Sequence, residues 1–277
     1  MRFYGSHSIA ETIFNYIKAN EKFFEGKVVF DLPAGDGGSS RQLHEAGAQV
    51  TAFDLFPENF TYEPVRCRHV DLNEKIPCDN EIADIILCQE GIEHITDQPA
   101  AFREMSRVLK KNGSLIITTP NGSNIRSRLS FFLNEAEHYK LMPVNEVDSL
   151  WLSESENSTE KIYYGHAFLS TFTKIRLFAE LAGLSIAKIH YDRANNLSAL
   201  LAPILYPFIA LTAIASYRRA LRKLPDKSVE IKNVYKEVLK MSLDPRNLLV
   251  SHIFIEFTKT GDHLSSLASF RRFNKLG

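Results

Sequence analysis

The sequence predicts an α/β fold: a mostly parallel sheet of seven strands with helices on both faces. Three observations carry this. Short apolar runs at about 27–32, 48–53, 65–70, 83–88 and 113–118 read as strands, mostly with helical spacing between them. The first run carries Asp31 near its end, and a turn of small residues follows, Ala34-Gly35-Asp36-Gly37-Gly38-Ser39-Ser40. The second leads into another carboxylate, Asp54, 19 residues after Gly35. Strands alternating with helices imply parallel neighbours joined by right-handed crossovers.

Taken in order, residues 8–20 read as a first helix. Ile9, Ile13, Phe14 and Ile17 recur at helical spacing, with Ser6 or Ser8 as caps. The five strands follow. Residues 168–182 form an amphipathic helix that Gly183 stops. Residues 184–191 read as a sixth strand and 250–258 as a seventh, in which polar and apolar residues partly alternate. The chain reads as one domain, 1–277, with substrate-side or lid insertions at about 121–165 and 192–249. The first insertion contains Arg-Ser-Arg-Leu-Ser-Phe-Phe, 126–132, and an acidic, serine-rich stretch, 153–160, expected to be an exposed loop.

The second insertion carries 197–217, which has no charged residue. Arg193 precedes it, and Arg218 and Arg219 follow. Its length suits the roughly 20 residues of a membrane-crossing helix. Pro203 and Pro207 stand inside it and are expected to interrupt the helix. Three readings stay open: a pair of short helices buried as a lid, a monotopic element dipping into a bilayer, and a true span. The basic and aromatic segments at 126–132 and 269–277 favour a lipid surface slightly.

The strand–turn–strand layout builds a nucleotide-shaped pocket at the carboxyl ends of the strands. Gly35 and Gly37 let backbone approach a ligand that a Cβ would block, and Asp54 is placed to accept hydrogen bonds from a ribose diol. Two ligands compete. The dinucleotide pattern G-x-G-x-x-G is met at Gly35 and Gly37, but Ser40 stands where the third glycine belongs. S-adenosylmethionine carries an ammonium and a sulfonium instead of a phosphate. Asp31 suits those cations and would repel a pyrophosphate. A tight turn that binds nothing is the remaining alternative.

Asp31-Leu32-Pro33-Ala34-Gly35-Asp36-Gly37 resembles the D-L-G-C-G-x-G segment of class I S-adenosylmethionine-dependent methyltransferases. Pro33 and Ala34 depart from it, and Pro33 removes a backbone donor. Asp71-Leu72 resembles the family's adenine-reading pair. Residues 83–88 resemble its fourth strand, which runs into Gln89-Glu90-Gly91-Ile92-Glu93-His94-Ile95, similar to an I-E-H-L segment. Residues 102–120 resemble its helix, Lys-Asn-Gly turn and fifth strand. The resemblance covers residues 25–122 closely and 160–191 loosely. It implies a Rossmann-like sheet, with the seventh strand inserted antiparallel between the fifth and sixth. It implies S-adenosyl-L-methionine as cofactor, held by Asp31, Ala34, Gly35, Gly37, Asp54, Leu55, Asp71, Leu72 and Gln89. The basic fold joins its sixth and seventh strands by a hairpin; here more than fifty residues intervene.

Bulk numbers narrow the partners. The 277 residues hold 33 Lys+Arg against 33 Asp+Glu, which argues against a dedicated nucleic-acid binder. Three cysteines, Cys67, Cys78 and Cys88, lack C-x-x-C spacing and suit reduced thiols in a cytosol. The N-terminus shows no charged start followed by an apolar run, so no secretory signal is expected. The expected location is cytoplasmic, with peripheral contact at the inner membrane face if 197–217 meets lipid. No His/Cys/carboxylate cluster has metal-ligand spacing, so no metal is expected.

Methyl transfer is an in-line displacement that mainly needs alignment and exclusion of water. A hydroxyl acceptor also needs a base. His94 is the first candidate, being on the edge where the methyl group is expected; a structural histidine near the cofactor is its other reading. Glu90 and Glu93 are alternatives, one of which could instead face solvent. His166 and Arg126 are candidates on the acceptor side, and His138 and Tyr139 carry no placement beyond the first insertion. The expected acceptor is a small molecule, a glycan or a lipid-linked compound, methylated on oxygen or nitrogen. The rivals are a non-catalytic S-adenosylmethionine-binding module and an NAD(P)-dependent oxidoreductase.

Overall fold

A computed structural model describes residues 9–136, 142–152, 162–165, 167–191, 193–224 and 228–273. The chain opens with α1 (Ile9–Ala19), whose Ile9, Ile13 and Ile17 are buried. The caps expected at Ser6 or Ser8 lie outside the described residues. A short α2 (Glu21–Phe24) leads to β1 (Val28–Asp31), α3 (Gly38–Glu45), β2 (Gln49–Asp54), β3 (Cys67–His69) and β4 (Ala83–Gln89). Then come α4 (Gln98–Val108), β5 (Leu109–Pro120), α5 (Ile125–Asn134), and a small hairpin, β6 (Leu150–Leu152) with β7 (Ile162–Tyr164). The chain continues through α6 (Phe172–Leu181), β8 (Leu184–His190), α7 (Asn196–Lys223), α8 (Val229–Leu243), α9 (Pro245–Leu249), β9 (His252–Lys259) and α10 (His263–Phe273).

Seven strands form one sheet in the order β3-β2-β1-β4-β5-β9-β8. β1 lies parallel to β2 and to β4, and β4 parallel to β5. β9 runs antiparallel to β8, as the resemblance implies. The chain winds outward from β1 through β2 to β3, then returns to place β4 on the other side of β1. That reversal opens a crevice at the carboxyl ends of β1 and β4, where ligands bind in sheets of this kind.

Apolar burial fixes the helices to the sheet. Ile13 and Ile17 of α1 and Leu43 of α3 pack with Val29, Ile85, Leu87, Ile116 and Phe254 in one cluster. Each fully buried aliphatic side chain contributes roughly 1.5–3 kcal/mol. The strands are Val/Ile/Leu-rich because both faces are covered.

Three expectations need correction. The Lys-Asn-Gly turn is absorbed into β5: the register runs from Ala83 opposite Leu109 directly to Ile85 opposite Ser114. The extra residues form an irregularity in which Asn112 takes φ +62°, a left-handed conformation asparagine tolerates. The helix expected from 168 begins at Phe172. Most consequentially, Pro203 and Pro207 do not interrupt α7, which is one helix of 28 residues and not a pair of short ones. Both prolines are exposed. Thr212 donates to the carbonyls of Phe208 and Ile209 a turn further on, at 2.9 and 3.0 Å.

The chain divides into two compact units. The first comprises residues 1–119, 178–190 and 254–263; the second comprises 120–177, 191–253 and 264–277. Both insertions fall in the second. There Asn121, 1 % exposed, joins the start of the first insertion to the end of the second. Its side-chain nitrogen donates to the carbonyls of Asn247 and Val250, both at 2.9 Å, and its oxygen accepts from Ser123 N–H at 2.7 Å. Tyr206 of α7 donates to the Leu243 carbonyl of α8, and Arg176 of α6 pairs with Glu237 of α8 at 2.6 Å. The acidic stretch 153–160 lies outside the described residues.

Candidate active site

The site residues of the first unit gather where β1, β2 and β4 end. The turn after β1 is held by backbone: Ala34 N–H donates to the Phe53 carbonyl, and Gly37 N–H to the Ala34 carbonyl. Gly35 takes φ +53° and Gly37 φ +93°. A Cβ built on Gly35 meets nothing within 4 Å, so its backbone faces open space that a ligand can enter. Gly37 differs from expectation. A Cβ there would approach Phe60 to 2.9 Å and Tyr62 to 3.1 Å, so its own chain is what requires the glycine. Pro33 follows a cis peptide bond, and its ring lies against Gly91.

Asp54 closes β2. One of its oxygens accepts Gly35 N–H and the other Phe56 N–H, each at 2.8 Å. A carboxylate offers about four acceptor positions, so two remain for a diol. Leu55 follows it in the chain. Asp71, after β3, uses Oδ1 to accept from Asn73, and Asn73 in turn accepts from Thr96. Leu72 is buried beside it. The loop after β3 is thereby tied to the loop after β4. Gln89, at the end of β4, accepts from Ser39 Oγ at 2.7 Å, which fastens β4 to the start of α3.

Asp31 is fully buried. Ser40 Oγ donates to its Oδ2 at 2.6 Å, while Oδ1 is buried and has no hydrogen bond among the described residues. Burial pushes its pKa up to about 7, against the lowering effect of Ser40. Ser40 drew notice in the sequence only as a missing glycine, yet its hydroxyl is what holds Asp31. Glu90 takes φ +49°, a strained conformation for a side-chain-bearing residue, with its N–H donating to the Thr118 carbonyl. Burial and the nearby Glu93 hold its pKa well above the usual carboxylate range. Glu93 is fully buried, accepts from Thr119 Oγ1 at 2.8 Å, and is raised by burial to about 7. The expectation that one of these two glutamates faces solvent is therefore corrected for Glu93. His94 lies beside it, with Nε2 3.8 Å from Glu93 Oε1 and its side chain 12 % exposed. Thr119 is the member of this group that the sequence did not single out; a β-branched hydroxyl inside a strand carries no motif.

His166, like His138 and Tyr139, lies outside the described residues. Arg126 stands in the second unit, on the first turn of α5, where its N–H donates to Ser198 Oγ at 3.2 Å. Its Nε is buried without a hydrogen bond among the described residues.

The buried, unpaired Asp31 oxygen and the open Gly35 backbone fit a cationic, nucleoside-bearing ligand. The spare acceptor positions of Asp54 fit a ribose. Residues 30–117 match the family described as "Methyltransferase domain". A ubiquinone biosynthesis O-methyltransferase of Haemophilus ducreyi is 28 % identical over 129 residues, 42 % of this chain and 54 % of that protein. One of Aliivibrio fischeri is 26 % identical over 148 residues, 50 % and 62 % of the two chains. The chain thus spans little more than half the length of these relatives. Among solved structures, an S-adenosylmethionine-dependent methyltransferase of Archaeoglobus fulgidus superposes with a TM-score of 0.53 at 15 % identity, covering 93 % of this chain and 96 % of that one. One from Listeria monocytogenes gives 0.52 at 16 %, covering 92 % and 100 %. Residues 30–117 are similar to a methyltransferase domain, and the chain has the fold of S-adenosylmethionine-dependent methyltransferases.

Proposed function

We propose that this protein transfers a methyl group from S-adenosylmethionine to an oxygen or nitrogen of a small-molecule, glycan or lipid-linked acceptor. One observation carries the reading: a fully buried carboxylate, Asp31, with one oxygen unpaired, beneath a backbone left open at Gly35. When bound, the cofactor supplies a methyl group activated by a sulfonium. Asp31 balances its positive charge. Asp54 accepts from the ribose hydroxyls, and Asp71 with the Leu72 N–H reads the adenine edge.

Oxygen is the favoured acceptor atom, because the relatives are named O-methyltransferases and the site holds a histidine next to a buried acid. His94 accepts the hydroxyl proton. Glu93, kept in place by Thr119, orients the imidazole and balances the charge it gains.

Calorimetric titration with S-adenosylmethionine, S-adenosylhomocysteine and NADH tests the pocket. Micromolar binding of the first two alone supports the reading; binding of NADH alone overturns it. Transfer of labelled methyl to hydroxyl and amine acceptors then tests the base. His94→Ala is expected to abolish O-methylation while leaving cofactor affinity within about twofold. Full O-methylation by that variant removes His94 from the chemistry.

A further inference from the structure

We infer that the outer face of α7 docks on an anionic phospholipid surface, lying in the interface and not across it. The inference is independent of the methyl-transfer reading, since it concerns a helix of the second unit.

The helix is apolar on two sides. One side packs within its own unit, through Tyr206 onto α8 and through Ser198 onto α5. The other side is left exposed by the described residues. Leu200, Ile204, Phe208 and Leu211 are between 64 % and 73 % exposed. At about 100° per residue these four fall within a single stripe. A stripe of large, exposed aliphatic and aromatic side chains on a soluble surface marks a docking face.

Charge identifies the occupant. Asn196–Lys223 contains no Asp or Glu, and its cations are Arg218, Arg219, Arg222 and Lys223, all exposed. Arg218 and Arg222 fall on the same stripe as Leu200 and Leu211, roughly two turns or more beyond the apolar part. An apolar stripe that ends in clustered cations matches acyl chains bordered by anionic phosphates. The long arginine stems reach the phosphates while the apolar residues stay in the acyl boundary.

The prolines set the depth. Pro203 and Pro207 deprive the carbonyls of Ala199 and Pro203 of their usual helical donors. A carbonyl without a donor is costly in hydrocarbon but is readily hydrated at the headgroup level. Thr212, a polar residue just beyond the apolar stripe, already donates to backbone inside the helix. α7 therefore suits a position half-sunk in the interface.

The test is flotation of the full chain with vesicles of phosphatidylcholine alone, or mixed with phosphatidylglycerol. Binding to the mixed vesicles is expected to exceed binding to the neutral ones by about tenfold or more, and to fall steeply with salt. Phe208→Glu with Leu211→Glu is expected to abolish binding. Arg218→Ala with Arg222→Ala is expected to reduce it about tenfold. Both variants change exposed side chains, and circular dichroism with cofactor titration establishes that they fold. No preference for anionic vesicles by folded protein overturns the inference. So does a concentration-dependent dimer that Phe208→Glu dissolves, which makes the occupant a second copy. Protease protection of α7 together with segments on both of its sides, in reconstituted vesicles, overturns the interfacial depth in favour of a span.

Discussion

Asp31 and Asp54 differ in what their surroundings leave available. Asp54 holds two backbone N–H groups in place and has acceptor positions to spare, so its loss removes both a ligand contact and a brace. Asp54→Asn is expected to weaken cofactor binding by about 1.5–3 kcal/mol, the scale of a hydrogen bond to a charged group, measured by calorimetry. Unchanged affinity would remove Asp54 from the pocket. Asp31 is held near neutrality by burial, so a cationic ligand must draw its proton off. Cofactor binding is expected to release protons below about pH 7 and none well above it. Titrations in buffers of different ionisation enthalpy read this directly, and proton uptake would contradict the arrangement. The positions of these acids were legible because strand ends and glycine turns are written in a local pattern. Their partners were not. Ser40 and Thr119 act through side-chain hydroxyls, a role no motif assigns them, and the requirement for Gly37 comes from Phe60 and Tyr62, more than twenty positions away.

Individual elements respond to single methyl groups in ways that separate folding from binding. Gly35→Ala places a Cβ in open space at the cost of about 1 kcal/mol of left-handed strain, so stability is expected to change little while cofactor affinity falls. Gly91→Ala drives a Cβ to 2.3 Å from Pro33 Cδ, part of a rigid ring. It is expected to lower stability by about 1–3 kcal/mol, seen as a depressed Tm with or without cofactor. Equal melting temperatures for the two variants would refute this division. In the second unit, Asn121→Ala strands two buried carbonyls and an N–H, and is expected to cost about 3 kcal/mol in denaturant unfolding. The strands were readable as apolar runs of the right length. α7 was misread because two prolines outweigh an apolar period in any local judgement. The helix tolerates them at exposed positions, and sidedness is fixed by α8, α9 and α5, not by the segment itself.

Across the whole molecule, two sets of carboxyl groups pull stability in opposite directions with pH. Asp31 and Glu93 have folded pKa values of about 7, above their ordinary 3.8 and 4.5. Each favours the folded state while protonated, an effect present below those ordinary values and lost as pH rises through about 7. Asp84, Asp244 and Glu256 behave oppositely. Asp84 is lowered despite its burial by Val28 N–H and Lys110, Asp244 despite its burial by Arg246, and Glu256 chiefly by His190. Their contribution is present above the usual carboxylate range and lost as pH falls. The protein without ligand is therefore expected to melt highest in mildly acidic buffer, with Asp31→Asn flattening the alkaline side; a maximum above pH 7 in thermal scans would count against it. The same acids bear on turnover. The buried Cys88 thiol is raised by burial and, beyond that, by the charges of Glu93, Asp31 and Glu90. Once the methyl group has left, the sulfonium is a neutral thioether and the spent ligand offers these acids one cation fewer. Such a pocket grips its substrate harder than its product, and product inhibition should fade as the medium turns alkaline.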